Sequence, residues 1–339
     1  MQPNRSIAQQ TNISASRKNI PLSVFAEVTR ACNLNCYYCY QPSHKAGREL
    51  TLAQWKNVLA QLSRQGALYI AFSGGEPFIR SDFLEIVAAA RTHNFAVSII
   101  SNGTCIGKKA AAVLAHLGVM DVGISLHASQ PQLHDRLSGR QGGFSKALAA
   151  IRLLTAAGIK VLIKHCVSSE NFGEYKKIEH IAQSEGCVFE CDSTVLPLKN
   201  DDISPYALNI EQHRQFLCDM DMQPLASCID TDSQWSLHCD AGRSMCAVDA
   251  CGEIYPCILL PIPFGNAAER SFSEIWHSVE ANSFRQQELS IDETCESCSM
   301  HSLCSRCHAV AWMESGDWRG KSKSLCDRAE AMRLNAIGN

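Results

Sequence analysis

Between residues 22 and 195, short apolar runs rich in β-branched residues alternate with stretches that carry apolar side chains at i, i+3, i+4 spacing. Runs at 24–29, 67–72, 96–101, 122–126, 161–167 and 188–195 predict six strands. Stretches at 52–62, 83–90, 110–117 and 144–156 predict helices between them, with Thr51 and Ser81 as N-caps. Strand and helix repeating at 25 to 35 residues predict an α/β fold, a parallel sheet joined by right-handed crossovers. A doubly wound open sheet and a partial barrel both satisfy the pattern. Either places ligands at the carboxyl ends of the strands.

The rhythm breaks at 197–237, where Asn-Asp-Asp and Ser-Pro surround one helix-like piece at 210–218. Past it, 238–326 is dense in cysteine, and 327–336 again has a helical pattern. The expected organisation is a flexible segment at 1–21, a core at 22–200, a connection at 201–237 and a cysteine-rich domain at 238–339. Residues 1–20 are polar and basic with no acid and no apolar stretch, which excludes a secretory signal and predicts a disordered tail. No run of 18 apolar residues occurs, so no transmembrane helix is expected. A formal charge of −3 gives no footprint for nucleic acid or an anionic membrane.

Cysteine changes the picture. The chain has 339 residues and 18 cysteines, too long to need disulfide staples. With no export signal the thiols belong in a reducing, cytoplasmic setting, where such clusters mean metal or redox chemistry. Cys32, Cys36 and Cys39 form C-x3-C-x2-C directly after the first strand. Three thiolates on one loop suit three irons of a 4Fe–4S cluster and leave the fourth iron open to a ligand; an incomplete zinc site is the alternative. The second strand ends in Ser73-Gly74-Gly75-Glu76-Pro77. Paired glycines let a backbone approach a ligand closely, and Glu76 can accept hydrogen bonds from an ammonium group.

Together these residues resemble the radical S-adenosylmethionine (SAM) superfamily, whose cysteine motif carries an aromatic before its last Cys, here Tyr38. The resemblance implies a partial (β/α)6 barrel in which SAM chelates the open iron and is cleaved reductively to a deoxyadenosyl radical. It assigns Gly74, Gly75 and Glu76 to the methionine amino group and sets Asn102 and Ser125 at strand ends beside SAM.

Cys239, Gly252 and Cys257 give C-x12-G-x4-C around a hairpin expected at 246–257; Cys295, Cys298, Cys304, Cys307 and Cys326 follow. This resembles the SPASM extension, although C-x2-C-x5-C-x2-C is one residue shorter in its last gap than the usual pattern. The resemblance implies two auxiliary 4Fe–4S clusters, one on Cys239, Cys246, Cys257 and Cys307, the other on Cys295, Cys298, Cys304 and Cys326. With the first motif that makes three clusters. Two four-thiolate zinc sites are the structural alternative. His238, His301 and His308 lie beside these cysteines as alternative ligands. Of the seven remaining cysteines, Cys166 and Cys191 sit on the fifth and sixth strands as candidate hydrogen-atom donors. Glu190 and Asp192 flank Cys191 and point away from it, which makes them candidate bases.

Similarity to SPASM proteins implies a maturase that oxidises or cross-links a ribosomally made peptide or small protein, fed by a reductant such as flavodoxin or ferredoxin. About 21 residues precede the first strand, too few for a fused leader-recognition domain, so a separate leader-peptide-binding protein is expected. The alternatives are tetrapyrrole (haem) side-chain chemistry, peptide epimerisation and a non-catalytic iron–sulfur electron carrier.

Overall fold

A computed structural model describes residues 6–41, 48–196, 205–221, 239–287 and 293–337. Six strands, β1 (Ser23–Glu27), β2 (Tyr69–Ser73), β3 (Ala96–Ser101), β4 (Asp121–Ser125), β5 (Val161–Cys166) and β6 (Val188–Asp192), lie side by side in chain order. From β1 to β5 neighbours run parallel, with Glu27 opposite Ser73 and Ser125 opposite Lys164. This is the expected parallel core, and its carboxyl ends lie together along one edge of the sheet.

The sheet continues past β1. Strand β7 (Met245–Val248) pairs parallel with it, Val24 facing Cys246, and β8 (Glu253–Tyr255) and β9 (Gly265–Asn266) follow antiparallel. The hairpin expected near 246–257 is therefore present but built into the first sheet. The chain accordingly divides into compact units that differ from a cut at 237. One holds Met1–His165, Lys176–Glu190 and Asp240–Ser283, the other Cys166–Tyr175, Cys191–Cys239 and Phe284–Asn339.

In the first unit, Val97, Ile99, Val122, Ile124 and Ile163 are fully buried. Ile124 meets Ala147 and Ala150 of helix Gly143–Ala156 around Gly103, so this is the helix-covered face. Alternation sends Ser98, Ile100, Ser125, Lys164 and Glu190 to the opposite, more open face. Helix Leu52–Arg64 starts at a capping box in which Thr51 Oγ1 accepts from Gln54 N–H and Gln54 Oε1 from Thr51 N–H. Ser81 does not cap the next helix. Asp82 stands at that position and caps nothing, because Arg80 Nε holds its carboxylate at 2.6 Å.

The expected disordered tail is also corrected. Residues Ile7–Arg17 form a helix with a Ser6/Gln9 capping box. Asn12 fastens it, donating to Asp240 Oδ2 at 2.7 Å and accepting from the Ser244 hydroxyl at 3.1 Å; Trp276 Nε1–H then donates to Asn19 O at 2.6 Å. Among the described residues no helix is long and apolar enough to cross a membrane.

In the second unit, helix Lys323–Ile337 packs along helix Ile210–Asp219, burying Phe216, Leu217, Ala329 and Ala331. Cys326 thus lies in the first turn of the final helix rather than ahead of it. His213 is buried, its Nδ1 has no hydrogen-bond partner, and burial together with the nearby Arg328 charge pulls its pKa down to about 4. A folded-state value below the unfolded one means that the unfolded chain takes up the proton first as pH falls. Stability is therefore lost from about pH 6.5 down to about 4. At pH 5 the loss amounts to about 2 kcal/mol. His213→Leu is expected to hold or raise Tm at pH 7 and to flatten its fall between pH 7 and 5 by that amount, as measured by thermal melts across that range.

Candidate active site at the strand ends

The loop after β1 is held by backbone. Val28 N–H donates to Ser73 O at 2.9 Å, Gly75 N–H to Thr29 O at 2.8 Å and Glu76 N–H to Ala31 O at 2.8 Å. These contacts explain the two glycines. A Cβ on Gly74 would stand 2.3 Å from Thr29 O, and one on Gly75 2.2 Å from Ala31 O. Gly74 also has φ +145°, where side chains are disfavoured. Arg80 braces the same turn, donating to Val28 O at 2.8 Å and Leu50 O at 2.7 Å. Glu49 accepts from Thr29 Oγ1 and Arg30 N–H, and Arg30 pairs with Asp249 at 2.7 Å.

Glu76 is fully buried. Its Oε1 accepts from the Ser101 hydroxyl at 2.8 Å and Phe78 N–H at 3.1 Å, and its Oε2 from Asn102 N–H at 2.8 Å. Burial raises its pKa and these donors oppose the rise. Both oxygens therefore tie the end of β2 to the end of β3. These three donors come from within the chain, and the ammonium expected from the sequence would be a bound ligand's. Asn102 turns its side chain to the cysteine loop, with Nδ2 donating to Asn33 Oδ1 at 3.0 Å and lying 4.0 Å from Cys32 Sγ.

Cys32, Cys36 and Cys39 share this loop and weigh on one another: burial first, then the other thiols, raises Cys36 to about 12, and Cys32 rises for the same leading reason. Three soft donors pressed together need a cation before all can ionise, which fits an iron cluster. Among the described residues no three His, Cys, Asp or Glu side chains close around one ion, whereas a cubane asks each thiolate for a separate iron.

Sequence reasoning missed His127. Buried two residues past β4, it meets the Tyr38 hydroxyl at Nδ1 and places Nε2 3.7 Å from Cys36 Sγ. Burial lowers it to about 3, so the imidazole is neutral. A histidine just beyond the apolar run of the fourth strand was the available signal. Also missed was the Tyr40 hydroxyl donating to buried Glu27 at 2.7 Å, with Tyr40 in electrostatic reach of both Cys39 and Cys257.

Ser125 ends β4 on the open face, opposite Lys164, whose Nζ pairs with Glu190 Oε2 at 2.5 Å. Gly123 leaves room for the Lys164 stem, which a Cβ would meet at 2.8 Å. Of the candidate thiols, Cys166 shares the face of Lys164 by alternation, and Cys191 takes the face opposite Glu190. Burial, reinforced by Asp192, pushes Cys166 up to about 12, which keeps it a thiol. Asp192 caps a turn, accepting from Thr194 N–H and Oγ1, with Arg328 3.9 Å away.

In the second unit, Cys295, Cys298, Cys304 and Cys326 come together: burial, followed by the Cys326, Cys295 and Cys298 charges, raises Cys304 to about 11. Arg306 opposes that rise. Cys239 and Cys307 belong to this unit, and Cys246 and Cys257 to the first. Cys307 is the N-cap of helix His308–Ser315, and Cys246 is fully buried on β7. His308 Nδ1 lies 3.0 Å from Trp318 O, and His301 opens a short 3-10 turn. His238 and Cys228 lie outside the described residues.

A family model described as the radical SAM superfamily matches residues 26–179, and SPASM, an iron–sulfur cluster-binding domain, matches 239–308. The mycofactocin maturase MftC of Mycolicibacterium smegmatis is 30% identical over 314 residues, 84% of this chain and 77% of its own. The chain belongs to the radical SAM enzymes and carries a SPASM domain. Membership brings 4Fe–4S chemistry and SAM binding. The AdoMet-dependent heme synthase of Methanosarcina barkeri is 26% identical over 330 residues, 88% of this chain and 95% of its own. SuiB of Streptococcus suis, solved with S-adenosylmethionine, shares the fold: TM-score 0.75, 15% identity, covering 93% of this chain and 80% of SuiB.

If the glycines serve the cysteine loop, Gly75→Ala in this radical SAM enzyme will displace Ala31 and the cysteine that follows. The variant, purified anaerobically, is expected to lose about four irons per chain, one cluster's worth, and the EPR change on adding SAM. Full iron with an intact SAM response would refute that role.

Proposed function

We propose that this enzyme is a peptide maturase, one that abstracts a hydrogen atom from a ribosomally made peptide or small protein and completes an oxidation or cross-link. The observation that carries the reading is the pairing of an intact, backbone-latched cysteine loop with a separate four-thiolate group in the second unit. Relatedness to MftC, a maturase, supports the substrate class. Cys32, Cys36 and Cys39 would hold the SAM-binding cluster, and Cys295, Cys298, Cys304 and Cys326 one auxiliary cluster. The resemblance alone supplies the other set, Cys239, Cys246, Cys257 and Cys307, for a total of three. When bound, the first cluster and SAM supply a deoxyadenosyl radical that takes the substrate hydrogen.

The chain's residues do the rest. The Gly74–Gly75 turn fixes the cysteine loop, Asn102 and Ser125 border SAM at neighbouring strand ends, and Tyr38 is held by His127. Glu190, kept on the same face by Lys164, is the base that takes the proton released when the substrate radical gives up its second electron. An auxiliary cluster, when bound, would supply the acceptor for that electron, and Tyr40 stands within electrostatic reach of both Cys39 and Cys257. A reductant such as flavodoxin or ferredoxin in the cytoplasm primes the cycle. Similarity to the heme synthase favours tetrapyrrole side-chain oxidation as the second reading.

The first test is iron and sulfide content after anaerobic purification, with EPR before and after SAM. About twelve irons per chain and a SAM-induced change are expected; about four irons with zinc elsewhere would overturn the relay. Candidate peptides encoded near the gene, and an anionic tetrapyrrole, are then compared for stimulation of 5′-deoxyadenosine release. Stimulation by the tetrapyrrole alone would replace the peptide reading with the second one.

A further inference from the structure

We propose that Arg306 sets the reduction potential of the cluster on Cys295, Cys298, Cys304 and Cys326, making that cluster the favoured electron acceptor within the chain. The inference rests on the cluster assignment above and adds a direction of electron flow to it. Arg306 sits between Cys304 and Cys307. Its Nη1 donates to Cys295 Sγ at 3.6 Å and to Gly320 O at 3.0 Å, and its Nη2 donates to Trp318 O at 3.2 Å and to Arg319 O. Three carbonyls of one turn therefore hold the planar fork in place, with one arm against a cluster ligand.

None of these partners is a carboxylate, and the buried Nε–H has no partner. The guanidinium is half-buried, and negative charge beside it offsets the cost of that partial burial. The Asp317 carboxylate lies within reach of the Arg306 charge, and the four cysteines, as ligands of a bound cluster, would supply more. Cys304 lies within the field of the guanidinium, and Lys321, exposed, adds a second cation that acts on Cys326. A four-thiolate cluster gains negative charge on reduction. An adjacent cation and an N–H···S bond both favour the reduced form and raise the potential. At the SAM-binding loop the contact on Cys36 Sγ is a ring nitrogen, His127 Nε2 at 3.7 Å. Arg306 thus brings a guanidinium directly to Cys295 Sγ, where Cys36 Sγ meets an imidazole.

The test is an EPR-monitored redox titration of the full-length holoenzyme, in which the SAM-responsive signal identifies the first cluster. Arg306→Gln is expected to retain its iron while the midpoint of the affected auxiliary cluster falls by at least about 59 mV, a tenfold loss in the equilibrium for placing one electron there. Arg306→Lys should stay closer to the wild type, and the SAM-responsive midpoint should not move in either variant. Full iron with unmoved midpoints in Arg306→Gln would overturn the proposal. So would equal loss of iron from both variants, which would make Arg306 only a clamp of the turn at 318–320. If Arg306→Gln alone loses iron, Lys321→Gln decides: a lowered midpoint upholds the electrostatic role, and an unmoved one ends it. A wild-type chain with about four irons and zinc would instead sink the cluster assignment.

Discussion

Everything at the strand ends depends on how closely two stretches of backbone approach. The carbonyls of Thr29 and Ala31 receive the amides of Gly75 and Glu76, and the gap between the stretches is too small for a single Cβ at either glycine. Because β1 and β2 are parallel neighbours, their carboxyl ends emerge side by side, and the register Glu27 to Ser73 brings the two loops level. The cysteine loop thereby inherits the rigidity of the sheet. Glu76 extends the tie to β3 through Ser101 and Asn102, and Asn102 returns it to Asn33 and Cys32. One buried carboxylate thus links three consecutive strand ends. Positioning of this kind matters when a reactive radical must be generated at one place and shielded from water.

The parallel core was legible because its signal is local. Buried parallel strands read as apolar runs, helices as 3.6-residue periods, and the six strands fall within three residues of their expected bounds. What was not legible depends on distance along the chain. The pairing of Ser23 with Met245 joins segments that no sequence window spans, so the hairpin was foreseen but not its place in the first sheet. The helix at Ile7–Arg17 failed for another reason: its Ser6/Gln9 capping box lies in a polar stretch whose composition argued for disorder. At the site, residue types and spacing exposed the cysteines and glycines, whereas His127, Glu27 and Arg306 carry no motif. Their roles come from which neighbours the fold brings to them.

The extension of the sheet through β7 also bears on how the cysteine-rich region is supported. Val24 stands opposite Cys246, so a candidate cluster ligand belongs to a strand braced by the parallel core. Arg30, two residues before Cys32, pairs with Asp249 just past β7. The loop that carries the first cysteine motif and the hairpin that carries part of the second group are therefore fixed to each other by one sheet and one ion pair. In the second unit the helix pair Ile210–Asp219 and Lys323–Ile337 supplies an apolar core beside four converging thiols. Those thiols add no apolar burial, and cluster formation there would contribute folding energy directly.

A net oxidation by a radical enzyme must remove two electrons from its substrate. The first leaves with the hydrogen atom. The second needs an acceptor that is easier to reduce than the oxidised product, and it needs a base for the proton. Fully ligated clusters have no iron open to substrate, so such a site influences the reaction only through its potential. That potential is set by charge and by hydrogen bonds to sulfur. Here the chain places an imidazole beside the motif at Cys36 and a clamped guanidinium beside Cys295. It also keeps the Lys164–Glu190 pair on the open sheet face that ends at Ser125. A redox-neutral reaction would ask for no such asymmetry between sulfur environments, and an electron carrier would ask for no glycine latch at the SAM loop. The two features together favour a catalyst that both starts a radical and disposes of its electron.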